Sequence, residues 1–310
     1  MLQLSELLDQ RDFLVLDGGL ASELERQGHD LDHELWSARF LIEDPDSIAA
    51  VHRAYLEAGA DVITTAAYQA SLPGLRAVGL SDREARTTYM EALRIARRVC
   101  DEFPDPARYV AASIGPYGAY LADGSEYRGN YEATNKELEA FHRPRIELLA
   151  EATARGEGPD VLAVETIPSL DEAALILRLL KEHPELSAWF AFSCLETRTC
   201  EGQPIEECAK LVEEAGQVLA VGVNCSAPGD VPELLARLLA ASSKPLVCYP
   251  NSGEEYDAKT RSWSGDNVLS CDSEAPREWV RRGAKLIGGC CRTTPGDIEQ
   301  LAKMRGAVRA

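Results

Sequence analysis

A short run of β-branched and apolar residues ends in a polar or glycine-rich turn, and an amphipathic segment follows. This unit recurs along the chain, with runs at 13–17, 61–65, 109–114, 161–165, 188–194, 218–224, 245–249 and 285–289. Each run is nearly continuous in apolar residues, the pattern of a parallel strand covered on both faces. Between the runs, Ser81-Asp82-Arg83-Glu84 and Ser169-Leu170-Asp171-Glu172 read as capping boxes ahead of helical periodicity. Gly59, Gly216 and Gly283 stand just before the next run, where a helix-stopping glycine belongs. Strands alternating with helices in this way predict an α/β fold, a (β/α)₈ TIM-type barrel, with residues 1–310 as a single domain. A doubly wound open sheet is the competing arrangement. Its glycine fingerprint is missing, because Asp17-Gly18-Gly19-Leu20-Ala21-Ser22 does not follow G-x-G-x-x-G.

The longest irregular stretch, 115–131, holds Tyr117, Tyr120, Tyr127 and Tyr131 among several glycines. A long aromatic loop after a strand suggests a lid or a binding wall, and a surface insertion packed by its own tyrosines is the plainer alternative. In a barrel, chemistry gathers at the carboxyl ends of the strands. The runs place Asp17, Thr65 with Tyr68, Glu165, Asn224 with Cys225, Tyr249 to Ser252, and Cys290 with Cys291 on that rim. Cys225, Cys290 and Cys291 are the informative group. Three thiolates hold Zn²⁺ with one position open, which is the form of a catalytic site. Inert rim thiols and a redox pair at Cys290 and Cys291 remain open as readings of the spacing alone. Gly288 and Gly289 are expected to give the backbone freedom to turn both sulfurs inward. Cys194 and Cys200, near the end of the fifth run, are the other thiols within reach of the rim.

Charge narrows the partners. Lys and Arg number 32 against 51 Asp and Glu, a net charge of −19. That balance argues against nucleic acid and against an anionic membrane surface. No uncharged apolar run approaches the ~18 residues of a membrane span. Met1-Leu2-Gln3-Leu4-Ser5-Glu6 carries no basic region or apolar export segment, so the expectation is a cytoplasmic protein. The nine cysteines, Cys271 among them, are odd in number and spread over a long chain, which speaks against a disulfide framework. His29, His33, His52, His142 and His183 fall outside the proposed strand ends and form no H-E-x-x-H, so they read as surface or helix-packing residues.

Asn224-Cys225 together with Gly288-Gly289-Cys290-Cys291-Arg292-Thr293-Thr294-Pro295 resembles the homocysteine S-methyltransferase family. Further similar segments are Asp17-Gly18-Gly19, Leu35-Trp36-Ser37, Tyr68-Gln69-Ala70-Ser71, Gly115-Pro116-Tyr117-Gly118, Glu165-Thr166-Ile167-Pro168 and Tyr249-Pro250-Asn251-Ser252-Gly253-Glu254. The chain is most similar to the stand-alone bacterial members that take their methyl group from S-methylmethionine. The resemblance implies a barrel whose Zn²⁺ is held by Cys225, Cys290 and Cys291, with homocysteine as acceptor and a small cation as donor. S-methylmethionine comes first, S-adenosylmethionine next, and a betaine-dependent enzyme is the alternative. It also implies that Asp17 and Glu165 hold the homocysteine ammonium. Trp36, Tyr68 and Tyr117 offer ring faces to a sulfonium, and Asn251, Ser252 or Thr65 could meet the substrate carboxylate. A non-enzymatic zinc or thiol-redox barrel is the rival from another class.

Overall fold

The computed structural model describes residues 4–33, 35–104, 106, 108–253, 255–257, 262–264 and 274–307. Cys271, Glu254 and Met1 to Gln3, named above, lie outside them. Eight strands form one sheet: β1 Leu14–Val15, β2 Val62–Thr64, β3 Tyr109–Ile114, β4 Val161–Ile167, β5 Ala188–Phe192, β6 Val218–Asn224, β7 Leu246–Tyr249 and β8 Ala284–Ile287. Their order is β1-β8-β7-β6-β5-β4-β3-β2, and every pairing in it is parallel. A parallel bridge between Leu16 and Val62 closes β1 onto β2, with Asp61 N donating to Val15 O at 2.7 Å and Asp17 N to Val62 O at 3.1 Å. The ring is the expected (β/α)₈ barrel.

The apolar runs are continuous because each strand buries both faces. One set, Leu14, Leu16, Val62, Tyr109, Ala111, Val161, Ala163, Trp189, Ala191, Ala220, Val247, Tyr249 and Leu286, fills the barrel interior. The alternate residues, such as Val110, Leu162, Phe190 and Val221, pack outward among the surrounding helices. Small inner residues make room for Trp189, whose Nε1 donates to Tyr249 OH at 3.1 Å. Gly222 has no alternative here, since a Cβ would lie 1.7 Å from the Val247 carbonyl oxygen. The helix Leu4–Gln10 lays Leu4, Leu7 and Leu8 on the same inner cluster and plugs one mouth of the barrel. The other mouth carries the chemistry.

The runs at 109–114 and 218–224 appear as β3 and β6 to the residue. The fifth run ends earlier than expected, at Phe192, and Cys194–Leu195 pairs instead with Arg198–Thr199 in a hairpin. Ser81 and Glu84 form the full capping box. Ser169 caps the helix Leu170–Leu180 through Glu172 N, but the Glu172 carboxylate is not returned to the cap. Gly59 and Gly283 have φ of 101° and 90°, the left-handed stop expected of them, whereas Gly216 does not adopt a positive φ. No helix among the described residues is long and apolar enough to cross a membrane.

Candidate active site

The three cysteine sulfurs meet at one point. Cys225 Sγ lies 2.8 Å from Cys290 Sγ and 3.5 Å from Cys291 Sγ, and all three are within 4.8 Å of one another. Backbone geometry at β6 explains the convergence. The strand's inward series Ala220, Gly222, Asn224 ends, and Cys225 then turns with φ of 48°, while Arg292 turns with φ of 67° after the other two sulfurs. The expectation for Gly288 and Gly289 is corrected, because neither has a positive φ. They are needed for close approach: a Cβ on Gly288 would meet Asp17 O at 2.7 Å, and one on Gly289 would meet Thr293 Oγ1 at 2.3 Å. Gly19 is bound the same way, its N–H donating to Thr293 Oγ1 at 3.0 Å, while Gly289 N donates to Asp17 O at 3.0 Å. Two glycine doublets thus press the first and last strands together beneath the sulfurs.

The loop after β7 secures the cysteine turn. Cys290 N donates to Pro250 O at 2.8 Å, Ser252 N to Cys291 O at 3.0 Å, and Cys291 N to Asn251 Oδ1 at 3.3 Å. Asn251 and Ser252 therefore hold the cysteines in place. Packed this closely, the thiols share their protons unequally. Hydrogen bonds from Cys225 and Cys290 hold Cys291 well below the usual thiol range, and hydrogen bonds to Cys225 and Cys291, with burial, push Cys290 up. The donor set fits a thiophilic divalent ion. Among the described residues no fourth His, Cys, Asp or Glu joins it, so these residues offer three ligands of those types and leave a fourth position to another group. Cys194 and Cys200 are free thiols outside this group; Cys194 N is bound by Ser226 Oγ at 2.9 Å.

Two buried carboxylates flank the same rim. Glu165 accepts from Ser113 Oγ at 2.5 Å and Tyr249 OH at 3.1 Å, and burial raises its pKa to about 7. Asp17 accepts from Thr64 N at 2.7 Å and Thr64 Oγ1 at 3.1 Å. Burial first, and then the Glu165 charge, raise its pKa to about 8 against those hydrogen bonds. Asp17 is no helix cap, since Gly19 occupies the N-cap of Leu20–Arg26. Neither carboxylate has a cationic partner among the described residues. Two buried carboxyl groups without a cation form a site for one.

The aromatic residues divide. Tyr68 is half-buried in the field of Glu126, Cys225 and Glu165, against the backbone of Gly115. Trp36 begins the turn Trp36–Arg39 and packs on the core outside the barrel. Tyr117 meets Tyr120 and Phe141 edge-to-face and Tyr131 at a tilt, at centroid distances of 5.6, 5.1 and 5.7 Å. The tyrosine on the thiols is Tyr127, whose hydroxyl lies 3.3 Å from Cys225 Sγ and 4.0 Å from Cys291 Sγ. The sequence reading placed it in the loop without a role. Ser113 and Asn224 also carry site functions, and period-two counting from Tyr109 and Ala220 points both inward. Asn224 clamps Thr166, accepting from its N–H at 2.6 Å and donating to its Oγ1 at 2.8 Å. Thr65 Oγ1 is engaged by Ser113 N at 3.0 Å.

A family model described as homocysteine S-methyltransferase matches residues 14–305. The chain is 46% identical to homocysteine S-methyltransferase YbgG of Bacillus subtilis, with 96% of each chain covered. It is 42% identical to a homocysteine S-methyltransferase of Escherichia coli, over 96% of this chain and 97% of that one. Its fold is similar to the metallated form of the homocysteine methyltransferase MmuM from Escherichia coli, with a TM-score of 0.85, 39% identity, and 96% of this chain and 98% of that chain covered.

Proposed function

Because the chain belongs to the homocysteine S-methyltransferase family, we propose that it is a zinc enzyme carrying a methyl group from S-methylmethionine to homocysteine. The observation that supports this most directly is a cluster of three cysteine sulfurs beside two buried carboxylates that no cation among the described residues neutralises. Zinc bound there would hold the homocysteine sulfur as a thiolate at neutral pH, where a free thiol of pKa ~8.5 is mostly protonated.

The residues of the chain supply the rest. Cys225, Cys290 and Cys291 would hold the ion, and as three thiolates they would make an electron-rich site that suits a nucleophilic substrate sulfur. Glu165 and Asp17 take the α-ammonium of homocysteine, which restores the charge that burial makes costly. Asn251 and Ser252 fix the cysteine turn so that the sulfurs do not drift. Tyr68 and the 115–131 loop wall the space where a compact cation would lie. Attack of the sulfur on the donor methyl forms one S–CH₃ bond. The sulfonium C–S bond breaks, its electron pair stays on the departing sulfur, and two methionines result. No proton donor is required. The free thiols call for a reducing compartment, and the cytoplasm is where we place the enzyme.

The test combines metal analysis with a donor panel. Purified protein is expected to hold one zinc per chain and to form methionine fastest with S-methylmethionine, more slowly with S-adenosylmethionine. Turnover with glycine betaine alone would overturn the donor assignment. Homocysteine added to the cobalt-substituted protein should change its thiolate absorption, and an unchanged spectrum would refute binding of the substrate thiol at the metal.

A further inference from the structure

Both ends of the 115–131 loop are fastened to one buried carboxylate. Glu172, in the first turn of Leu170–Leu180, accepts the Tyr117 backbone N–H on Oε1 at 2.7 Å and the Tyr131 hydroxyl on Oε2. His142 Nε2 donates to the same Oε1 at 2.7 Å. Behind it, Arg145 donates from Nη2 to His142 Nδ1 at 2.8 Å and to Gly115 O at 3.2 Å. Nδ1 accepting from a guanidinium fixes His142 as the neutral Nε2–H tautomer. Glu172, His142 and Arg145 are each fully buried, and no step of the methyl transfer uses them.

The position of Glu172 in the sequence makes its use informative. A glutamate three residues after Ser169 would ordinarily return its carboxylate to the cap, as Glu84 does for Ser81 and Glu137 for Thr134. Here the carboxylate is diverted to the loop. Burying a carboxyl group away from any helix-cap duty is costly unless several donors meet it, and all of its donors serve the loop or its support. Between the anchors, the loop tip crosses the barrel mouth. Ser193 Oγ donates to Glu126 O at 2.8 Å, Asn130 N donates to Glu201 Oε1 at 2.8 Å, and Tyr127 reaches the thiols between them.

We propose that Glu172 is a positioning residue for methyl transfer, which sets the span of the 115–131 loop so that the Tyr127 hydroxyl rests on the cysteine sulfurs. Glu172 acts through Tyr117 and Tyr131, and Tyr127 lies against the Cys225 and Cys291 sulfurs. The inference rests on the methyl-transfer reading given above.

A double-mutant cycle tests it. Glu172→Gln leaves one acceptor oxygen for three donors, Tyr131→Phe removes one anchor while sparing the fold, and Tyr127→Phe removes the contact with sulfur. Glu172→Gln and Tyr131→Phe are each expected to lower kcat/KM about tenfold, within the span of coupled neighbours. In the Tyr127→Phe background the same changes should cost almost nothing further. A second readout needs no turnover: trypsin should cut after Arg128, exposed in the loop, several-fold faster in both anchor variants. Equal losses in both backgrounds, or unchanged cutting after Arg128, would overturn the proposal, and Tyr131→Phe decides it if Glu172→Gln does not fold. Wild-type protein that forms no methionine with any donor would instead overturn the methyl-transfer reading, while the trypsin comparison would still decide the anchor.

Discussion

Glu165→Gln should make the ligand-free protein more stable at high pH and a poorer binder of homocysteine. Burial raises the Glu165 pKa from 4.5 to about 7. The unfolded chain releases this proton near pH 4.5 while the folded protein keeps it, so the contribution to stability is fully present below that pH. It is lost as pH rises through about 7. At 1.36 kcal/mol per pKa unit, ionised Glu165 costs the empty protein about 3 kcal/mol at pH 8 relative to pH 4. Glutamine does not titrate. It mismatches one of the two hydroxyl donors, Ser113 or Tyr249, at a pH-independent cost of about 1 kcal/mol. Urea unfolding of both proteins between pH 4 and 8 should therefore show the variant-minus-wild-type difference climbing by about 3 kcal/mol. Homocysteine reverses the ranking, because its ammonium has lost a buried charged partner worth about 2–4 kcal/mol. Calorimetry at pH 8 should give a Kd ~30- to ~1000-fold weaker in the variant. A stability difference flat with pH together with unchanged homocysteine affinity would refute the reasoning. Unchanged affinity with loss of the acidic limb of the rate profile would point to proton transfer instead.

Cys290→Ala should lose bound zinc and activity, whereas Cys194→Ala should keep both; full metal content in the first would force a search for another ligand. His52 is fully buried, and both ring nitrogens lack partners among the described residues. Burial lowers its pKa from 6.5 to about 4, so wild-type stability falls as pH drops through that window. His52→Leu should gain about 1–2 kcal/mol at pH 7, and about 2 kcal/mol more at pH 5, by denaturant melts at both pH values. Gly222→Ala should destabilise by about 3 kcal/mol or more or fail to fold, since the added carbon has only the Val247 carbonyl to displace; a soluble variant with an unaltered melting temperature would contradict the packing.

The barrel was legible because strands buried on both faces leave continuous apolar runs, and β3 and β6 coincide with theirs to the residue. The same continuity hid which alternate residues face inward, so Ser113 went unremarked although it stands two residues after Ala111. Cys225, Cys290 and Cys291 were visible because rim position and residue type agree. Tyr127 was not, because nothing local distinguishes one loop tyrosine from Tyr117, which turned outward to Phe141. Glu172 was misread for a similar reason: the capping-box spacing is real, but tertiary donors outcompeted the cap for the carboxylate. Gly288 and Gly289 were noticed for flexibility, and steric clearance is what they provide.

The pressed glycine doublets have a kinetic side. The contact from Gly19 to Thr293 spans 274 residues of chain, and that from Tyr55 to Thr293 spans 238. Closing loops of that length costs entropy before any contact repays it, so docking of β8 on β1 is expected late in folding. Two of the three sulfurs arrive with β8. A chain with seven strands paired presents Cys225 alone and has little hold on a metal ion. Ion capture would then follow ring closure and act as a latch on the finished barrel, slowing its opening more than it speeds its formation. Until that moment Cys290 and Cys291 are exposed to oxidants, so refolding yield should depend on thiol reductant through the last phase and become indifferent to it once the ion is held.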